Sequence, residues 1–417
     1  PNTGGTHLPD ITIISPIFSN EKKEIIFYLA TRGHHSDIGG LYPGSMSPKV
    51  KSLHEEGIIF ENLKILSKNI LNEALLKNKL IDAKYPARSP ELNLQDIIAQ
   101  IAANKTGELE LNKIIAQYGQ TIVHQQMKRI RKNARTCTLD LIKKIKSSRF
   151  RMCIDNIDLN LSIDVPDNKN KIYFNFIGSS AQQHDNFNAP LPITKAVILY
   201  ALRCLINADI PLNSGILEPV TILTDKNSLL NPSKNAAVSA GNVEISQAIA
   251  NCIFATLGVK ASCQSTMNNL VFGNRDFQYY ETICGGQGAG RYFDGCDAIQ
   301  TNMTNSKLTD PEVFEEIYPI TLIELSVNRR SGGKGKFCGG NGIKKVFKIN
   351  TNMDCSILSN NRHIPAFGLE GGSSGCVGRN SLKRKTQIIR LDGNCQIELK
   401  KNDLLIIETP SGGGFGK

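Results

Sequence analysis

Two copies of the pattern His-x-x-Asp lie close to the amino terminus, and their residue types suit metal binding. His7 and Asp10 form the first copy, and His34 and Asp37 form the second, with His35 directly after His34. Imidazole nitrogens and carboxylate oxygens together are ligands for Zn, Mn or Fe. Taken singly, either copy is better explained by side chains that stabilise a turn. Taken together, the two copies predict a site for a divalent metal.

A β-hairpin would bring the two copies together. Two short runs of β-type residues follow the first copy and precede the second, and the polar segment between them suits a loop of about six residues. If Phe18 pairs near Ile25, antiparallel register places Asp10 opposite Gly33. Glu56, in a polar segment further on, is a weaker candidate for a general base, since it would also fit an ordinary turn. The predicted metal ligands are therefore His7, Asp10, His34 and His35, and the predicted catalytic groups are Asp37 and Glu56.

A second polar region combines side-chain amides with a glycine-rich segment. Asn268, Asn269 and Glu281 precede the glycines of residues 285–290, and Asn305 follows in another polar loop. Amides and backbone N–H groups can hold a carboxylate or an oxyanion, so these four side chains are predicted substrate contacts. A scaffold of tight turns explains the segment about as well. Neither a P-loop spacing nor a dinucleotide-binding context is present, so nucleotide binding is not predicted here.

The elements that must position these groups change along the chain. Helical periodicity extends over residues 92–146, with Gly107 and Gly119 as candidate breaks, and β-type runs separated by glycine clusters follow Tyr318. We predict an α+β fold: a mixed multi-layer body with helical layers and a β-rich C-terminal sub-domain. The predicted division is a catalytic body at 1–317 and a β-rich part of the same unit at 318–417.

Composition narrows the class of protein. The chain has 417 residues, of which 40% are hydrophobic, and it contains no apolar run near the roughly 20 residues that cross a bilayer. A net charge of +11 raises the question of nucleic acid, which would show as a steep salt dependence of binding. The charge is diffuse and tryptophan is absent, so we expect neither a nucleic-acid nor a membrane partner. The 11 cysteines form no C-x-x-C pair, which favours reduced thiols and a cytoplasmic location.

Ten sequence blocks, in order, resemble the hydantoinase B/oxoprolinase family, most closely the C-terminal half of its ATP-dependent oxoprolinases. The blocks are GGTHLPD, RGHHSDIGG with PGSM, LNLQDIIAQIAAN, DIPLNSG, GNVEISQ, TMNNLVFGN, YYETICGG, TNMTNSKLTDPEVFE, SGGKGKFCGGNG and PSGGGFG. The HLPD and RGHH blocks match those of related acetone carboxylases. The resemblance implies that the matching subunit of those enzymes has a manganese-type metal site. The chain departs from the family pattern at Ser265, Asn175 and Ser411, where Gly, Asp and Pro are usual, and each change is expected to weaken a turn or a polar contact.

The resemblance implies an activity and a partner. A hydantoinase A-type ATPase half, fused or separate, would use ATP to activate a small cyclic amide, and the half resembled here would open 5-oxo-L-proline to L-glutamate in glutathione metabolism. ATP would not bind to this chain, and an oligomer is expected. The missing initiator Met and the absent ATPase half suggest a piece of a longer reading frame. The alternatives are a hydantoinase or acetone-carboxylase-type subunit, or an inactive remnant that only binds a partner.

Overall fold

A computed structural model describes residues 5–19, 24–275 and 277–417. Numbered along the chain, the strands are β1 Asp10–Phe18, β2 Ile25–His34, β3 Leu66–Ser67, β4 Ile70–Leu71, β5 Ser148–Ile154, β6 Ile157–Asp164, β7 Ile172–Asn175, β8 Val220–Leu223, β9 Asn269–Gly273, β10 Gln278–Thr282, β11 Ile320–Val327, β12 Ile343–Ile349, β13 Met353–Leu358, β14 Arg379–Arg384, β15 Gln387–Leu391, β16 Asn394–Leu399 and β17 Leu404–Glu408. The helices are α1 Leu53–Glu56, α2 Glu73–Ile81, α3 Pro90–Tyr118, α4 Gln120–Ile142, α5 Leu191–Leu205, α6 Ser246–Thr256 and α7 Pro311–Ile317.

The predicted amino-terminal hairpin is confirmed, but its register is one residue away from the prediction. β1 and β2 pair antiparallel with Phe18 opposite Ile25, and Asp10 lies opposite His34 rather than Gly33. A β-bulge between Ile17 and Phe18 causes the shift, because an extra residue on one strand displaces every later pair. The shift brings Asp10 and His34 directly opposite each other. Residues 20–23 of the predicted loop lie outside the described residues.

Two long helices form the predicted helical layer beside the hairpin. Helix α3 begins at Pro90, a residue favoured in the first turn, and ends before Gly119, whose φ of 80° favours glycine. Gly119 is therefore a true helix boundary, whereas Gly107 lies inside α3. Amides of α3 donate hydrogen bonds to the hairpin backbone: Gln100 reaches the carbonyls of Ile11 and Thr31 at 3.0 and 3.3 Å. The helix thereby fixes the strands that carry the histidines.

A central core lies between a four-stranded sheet and two helices. The sheet has the order β5-β6-β7-β8, antiparallel except for the parallel pair β7 and β8. Alternate residues of β6 are buried, as expected for a strand with one face against a core. Leu159 and Phe174 of the sheet belong to the same buried cluster as Ile198 of α5 and Ile249 of α6. A π-helical turn over residues 241–245 leads directly into α6.

The carboxyl-terminal part contains a second core between two sheets. One sheet has the order β10-β9-β13-β16 and the other β11-β12-β17-β14-β15. Phe272 of the first sheet and Phe347 of the second belong to one buried cluster. The predicted α+β class with a β-rich C-terminal part is confirmed. The boundary at 317/318 stays a prediction, and strands from both sides of it share the first sheet. In the part of the chain that the structure describes, no helix combines the length and apolarity needed to cross a membrane.

The glycine-rich segments pack against one another. A Cβ atom added to Gly412 would lie 1.9 Å from the carbonyl oxygen of Gln287, and one added to Gly340 would lie 1.9 Å from that of Cys296. Such separations are far inside van der Waals contact, so a backbone occupies the space that a side chain would need. Residues 285–290 are thus part of a close-packed backbone layer, in agreement with the tight-turn interpretation.

Candidate metal centre

Three of the predicted ligands converge at the open end of the hairpin. Nδ1 of His34 lies 3.0 Å from one carboxylate oxygen of Asp10, and Nδ1 of His7 lies 3.4 Å from the other. One ligand atom from each of His7, Asp10 and His34 can be chosen so that all lie within 4.8 Å of one another. We call these three side chains the histidine–aspartate cluster. Its two nitrogens and one carboxylate are a ligand set suited to Mn, Zn or Fe.

Local backbone structure explains why the cluster forms. His7 begins a turn in which its own carbonyl oxygen accepts the N–H of Asp10. Asp10 is the first residue of β1. The carbonyl oxygen of Pro9 accepts the N–H of His35, which ties the turn to the end of β2. The hydroxyl of Thr6 donates to Asp10 at 2.8 Å. These bonds hold the Asp10 carboxylate between the two imidazoles.

The electrostatics of the cluster favour a carboxylate beside neutral imidazole. Burial lowers the pKa of His7 to about 4, although the nearby charge of Asp10 opposes this shift. Burial acts to raise the pKa of Asp10, but the hydrogen bond from His34 and the proximity of His7 outweigh it and bring the pKa to about 2. At neutral pH, Asp10 is therefore ionised and His7 is neutral. Metal binding requires these protonation states.

An orphaned atom supports the same interpretation. Nε2 of His7 is buried and has no hydrogen-bond partner among the residues that the structure describes. A buried polar atom without a partner costs about 1–3 kcal/mol, which a ligand would offset. The side chain of His34 is 40% exposed, so solvent reaches the cluster from one side. The residues present thus fit a divalent ion with one open side.

His35 and Asp37 follow His34 closely but contact other groups. Nδ1 of His35 lies 3.0 Å from the amide nitrogen of Asn93 on α3, and burial lowers the pKa of His35. Asp37 accepts hydrogen bonds from the backbone N–H groups of Gly39, Gly44 and Arg88 and from the Arg88 guanidinium. The structure does not bring either side chain into the histidine–aspartate cluster.

Glu56, the other predicted catalytic group, lies at the end of α1 and is buried. One of its oxygens accepts the N–H groups of Val238 and Ser239, both at 2.8 Å, and the other has no partner among the described residues. Burial raises the pKa of Glu56 to about 7. Its carboxyl group could exchange a proton near neutral pH, but its recorded contacts are with the backbone of a neighbouring loop.

Three predicted substrate contacts have no described contact with the cluster. Asn268 uses its amide within the protein, donating to Gln264 at 2.8 Å and accepting from Arg362 at 2.8 Å. Glu281 forms a buried ion pair with Lys345, with N–O distances of 2.7 and 2.8 Å. Asn305 is exposed on the irregular segment before α7. Their predicted roles stay predictions.

Asn269 reaches the cluster through Tyr280, a residue that the sequence reasoning missed. The side-chain oxygen of Asn269 accepts a hydrogen bond from the Tyr280 hydroxyl at 2.8 Å. The centroid of the Tyr280 ring lies 6.1 Å from the centroid of the His34 ring. The nitrogen of Asn269 donates at 2.7 Å to Glu244 in the π-helical turn. Burial raises the pKa of Glu244 to about 8. Glu244 and Tyr280 lie in the family blocks GNVEISQ and YYETICGG, and this was the available sequence signal for both residues.

The structure accommodates the three departures from the family pattern. The hydroxyl of Ser265 accepts a hydrogen bond from Asn251 at 2.6 Å. The amide oxygen of Asn175 accepts the N–H of Ile177 at 3.0 Å, and the hydroxyl of Ser411 accepts that of Gly342 at 3.3 Å. Each substituted side chain therefore has a hydrogen-bond partner in the folded chain.

Comparisons with known proteins agree on one family. The whole chain, residues 1–417, matches the family described as hydantoinase B/oxoprolinase. It is 39% identical over 430 residues to the 5-oxoprolinase of Dictyostelium discoideum, and the match covers 100% of this chain and 33% of that protein. The chain spans about a third of the length of the first curated relatives it matches.

Two solved structures share the fold. A nucleotide-free acetone carboxylase superposes with a TM-score of 0.88 at 18% identity, covering 99% of this chain and 63% of that one. An ATP-dependent caprolactamase from Pseudomonas jessenii superposes with a TM-score of 0.85 at 20% identity, covering 99% of this chain and 75% of that one. At these identities the likeness supports the fold alone. The full-length family match establishes that the chain belongs to the hydantoinase B/oxoprolinase family.

Proposed function

We propose that this chain is the hydrolytic half of an ATP-dependent cyclic-amide hydrolase of the 5-oxoprolinase type, opening 5-oxo-L-proline to L-glutamate. The observation that carries the proposal is the histidine–aspartate cluster. It lies in a chain whose whole length aligns with about a third of a 5-oxoprolinase at 39% identity. The name of the fold neighbour from Pseudomonas jessenii supports the same substrate class, since caprolactam is also a cyclic amide.

The chemical difficulty is the resonance of the amide. Phosphorylation of the lactam oxygen by ATP makes the ring carbon electrophilic, after which one water adds and the C–N bond breaks as nitrogen takes up a proton, which leaves an acyl phosphate. A second water hydrolyses the acyl phosphate and releases phosphate. The balance is one 5-oxo-L-proline, one ATP and two waters giving L-glutamate, ADP and phosphate. ATP would be used by a hydantoinase A-type half. Relatives about three times as long as this chain have room for such a half.

The chain's own residues would bind and orient the reactants. His7, Asp10 and His34 would hold a divalent ion, which when bound supplies a Lewis acid and lowers the pKa of coordinated water. Thr6 holds the carboxylate of Asp10 in place at 2.8 Å. The partial exposure of His34 would leave the open side toward the substrate.

The experiment is ATP-dependent release of glutamate from 5-oxo-L-proline by this chain combined with a hydantoinase A-type half. We expect turnover by the unaltered chain and a loss on the order of a hundredfold or more in the Asp10→Ala variant. His184→Ala, a change at an exposed histidine, is the matched control and should retain activity. Bound metal without glutamate release would favour another carbonyl substrate, as in a hydantoinase or a carboxylase. Neither metal nor turnover would favour a remnant that only binds a partner.

A further inference from the structure

Strand β10 presents its side chains to two different environments. Tyr279 and Glu281 lie on one face, where the Tyr279 hydroxyl donates to Glu281 at 3.1 Å and Glu281 pairs with Lys345 in the second core. Tyr280, between them, lies on the opposite face because side chains alternate along a strand. Its ring is beside His34, and both Asp10 and Glu244 act electrostatically on its hydroxyl. Tyr280 therefore forms part of the wall around the histidine–aspartate cluster.

Hydrogen bonding determines what the Tyr280 hydroxyl can offer to a ligand. A phenol has one proton, and Tyr280 donates it to the side-chain oxygen of Asn269 at 2.8 Å. The orientation of the Asn269 amide is fixed, because its nitrogen donates to Glu244 at 2.7 Å and to the carbonyl of Leu358 at 2.9 Å. Turning the amide over would place its oxygen against the carbonyl oxygen of Leu358, which can only accept a hydrogen bond. The Tyr280 oxygen thus keeps its lone pairs available and acts as an acceptor.

Glu244 is itself held rigidly. The N–H of Met267 donates to the same oxygen as Asn269, at 3.0 Å, and the amide of Asn360 donates to the other oxygen at 3.0 Å. Glu244, Asn269 and Tyr280 therefore form a chain of hydrogen bonds whose direction is set in the protein interior. An acceptor aimed in this way discriminates between ligands that carry a donor and ligands that do not.

We propose that Tyr280 is a specificity residue that accepts a hydrogen bond from the ring N–H of a secondary cyclic amide bound at the histidine–aspartate cluster. The inference rests on the proposed function and extends it to the substrate class. A lactone or a ketone has no N–H, so it would leave the lone pairs of the Tyr280 oxygen without a donor. Leaving such a group unpaired costs about 1–3 kcal/mol, which corresponds to a preference on the order of tenfold to a hundredfold.

The test measures binding to the full chain loaded with Mn²⁺, without the ATPase half. Isothermal calorimetry compares 5-oxo-L-proline with 5-oxotetrahydrofuran-2-carboxylate, the lactone in which ring oxygen replaces N–H. The unaltered chain should bind the lactam at least about tenfold more tightly. Tyr280→Phe should reduce the preference to about twofold or less with unchanged metal content. Tyr279→Phe, a change on the opposite face of the same strand, should leave the preference intact.

Two results would overturn the proposal. One is an equal affinity of the unaltered chain for both compounds, which includes failure to bind either. The other is a preference that survives in Tyr280→Phe. Failure of the proposed function gives a different result, because it appears as absent glutamate release in the assay with the ATPase half, whatever the binding preference of this chain.

Discussion

Carboxyl groups that look alike in the sequence have different environments in this protein. Asp10 lies between two imidazoles, Asp37 is surrounded by N–H donors, Glu56 faces a backbone loop, and Glu244 is held by neutral amides. The spacing of the two His-x-x-Asp copies was enough to predict that His7, Asp10 and His34 meet. It could not predict the separation of Asp37, because the backbone of a turn determines where that side chain points.

Asp37 is expected to serve stability rather than metal binding. It accepts four hydrogen bonds, one of them from the partly exposed guanidinium of Arg88 at 2.8 Å. Asp37→Asn places an N–H₂ group among these donors and should lower the free energy of unfolding by about 1–3 kcal/mol. Urea unfolding measures this loss, and the exposed Asp209→Asn is the control. Loss of bound metal from folded Asp37→Asn would contradict the assignment.

Glu244 is expected to make stability depend on pH. Its pKa in the folded chain is raised from the usual 4.5 to about 8, so between these values the folded state keeps a proton that the unfolded chain releases. The free energy of unfolding therefore falls as pH rises through this window, by up to about 1.4 kcal/mol per pH unit for one proton. Glu244→Gln removes this contribution. Urea unfolding at pH 5 and pH 8 should show that the free energy of unfolding decreases less in Glu244→Gln than in the unaltered chain. Equal decreases in the two proteins would argue against a raised pKa of Glu244.

One extra residue in the amino-terminal hairpin determines which side chains meet in the histidine–aspartate cluster. The β-type runs on either side of the polar loop predicted β1 and β2, and Pro16 in the first run suits an edge strand or a bulge, but neither signal gave the position of the shift between Ile17 and Phe18. Without the bulge, Asp10 would lie opposite Gly33, which has no side chain to share a ligand. Tyr280 was missed for a related reason, since the face it occupies depends on how β10 pairs with β9.

The glycine-rich layer is expected to tolerate no added methyl group. Gly412→Ala would force a Cβ atom to within 1.9 Å of the Gln287 carbonyl oxygen, so it should lower the free energy of unfolding by about 1–3 kcal/mol or prevent folding. Gly107→Ala inside α3 is the control, because the added atom meets only the flexible end of Leu29 at 3.1 Å. That variant should be neutral or gain up to about 1 kcal/mol. Equal effects of the two changes in thermal unfolding would refute the backbone packing.

The two parts of the predicted division share one sheet and one core. β9 and β10 belong to the first part of the predicted division, and β13 and β16 belong to the second, yet the four strands form one sheet. Phe272 and Phe314 pack in the same buried cluster as Phe347 and Ile357. Sequence patterns predicted the α+β class and the position of the β-rich part. They could not predict pairing between strands about eighty residues apart, which depends on long-range packing.

Residues 1–317 alone are therefore expected not to fold cooperatively. Without β13, strand β9 would lose one of its two partners and Phe272 would lose part of its packing. Near-ultraviolet circular dichroism and thermal unfolding of this piece should show no sharp transition, whereas the whole chain should show one. A sharp transition at the same temperature in both would contradict the shared core and favour two independent domains.

Metal content tests the histidine–aspartate cluster most directly. The chain, its Asp10→Ala and His34→Ala variants and the control His184→Ala are incubated with Mn²⁺, dialysed and analysed by mass spectrometry of the metal. We predict one ion per chain in the unaltered protein and in His184→Ala, and loss of that ion in the other two variants while their circular dichroism is retained. Absence of metal from the unaltered chain, or unchanged metal in Asp10→Ala and His34→Ala, would contradict the assignment of this cluster as a metal centre.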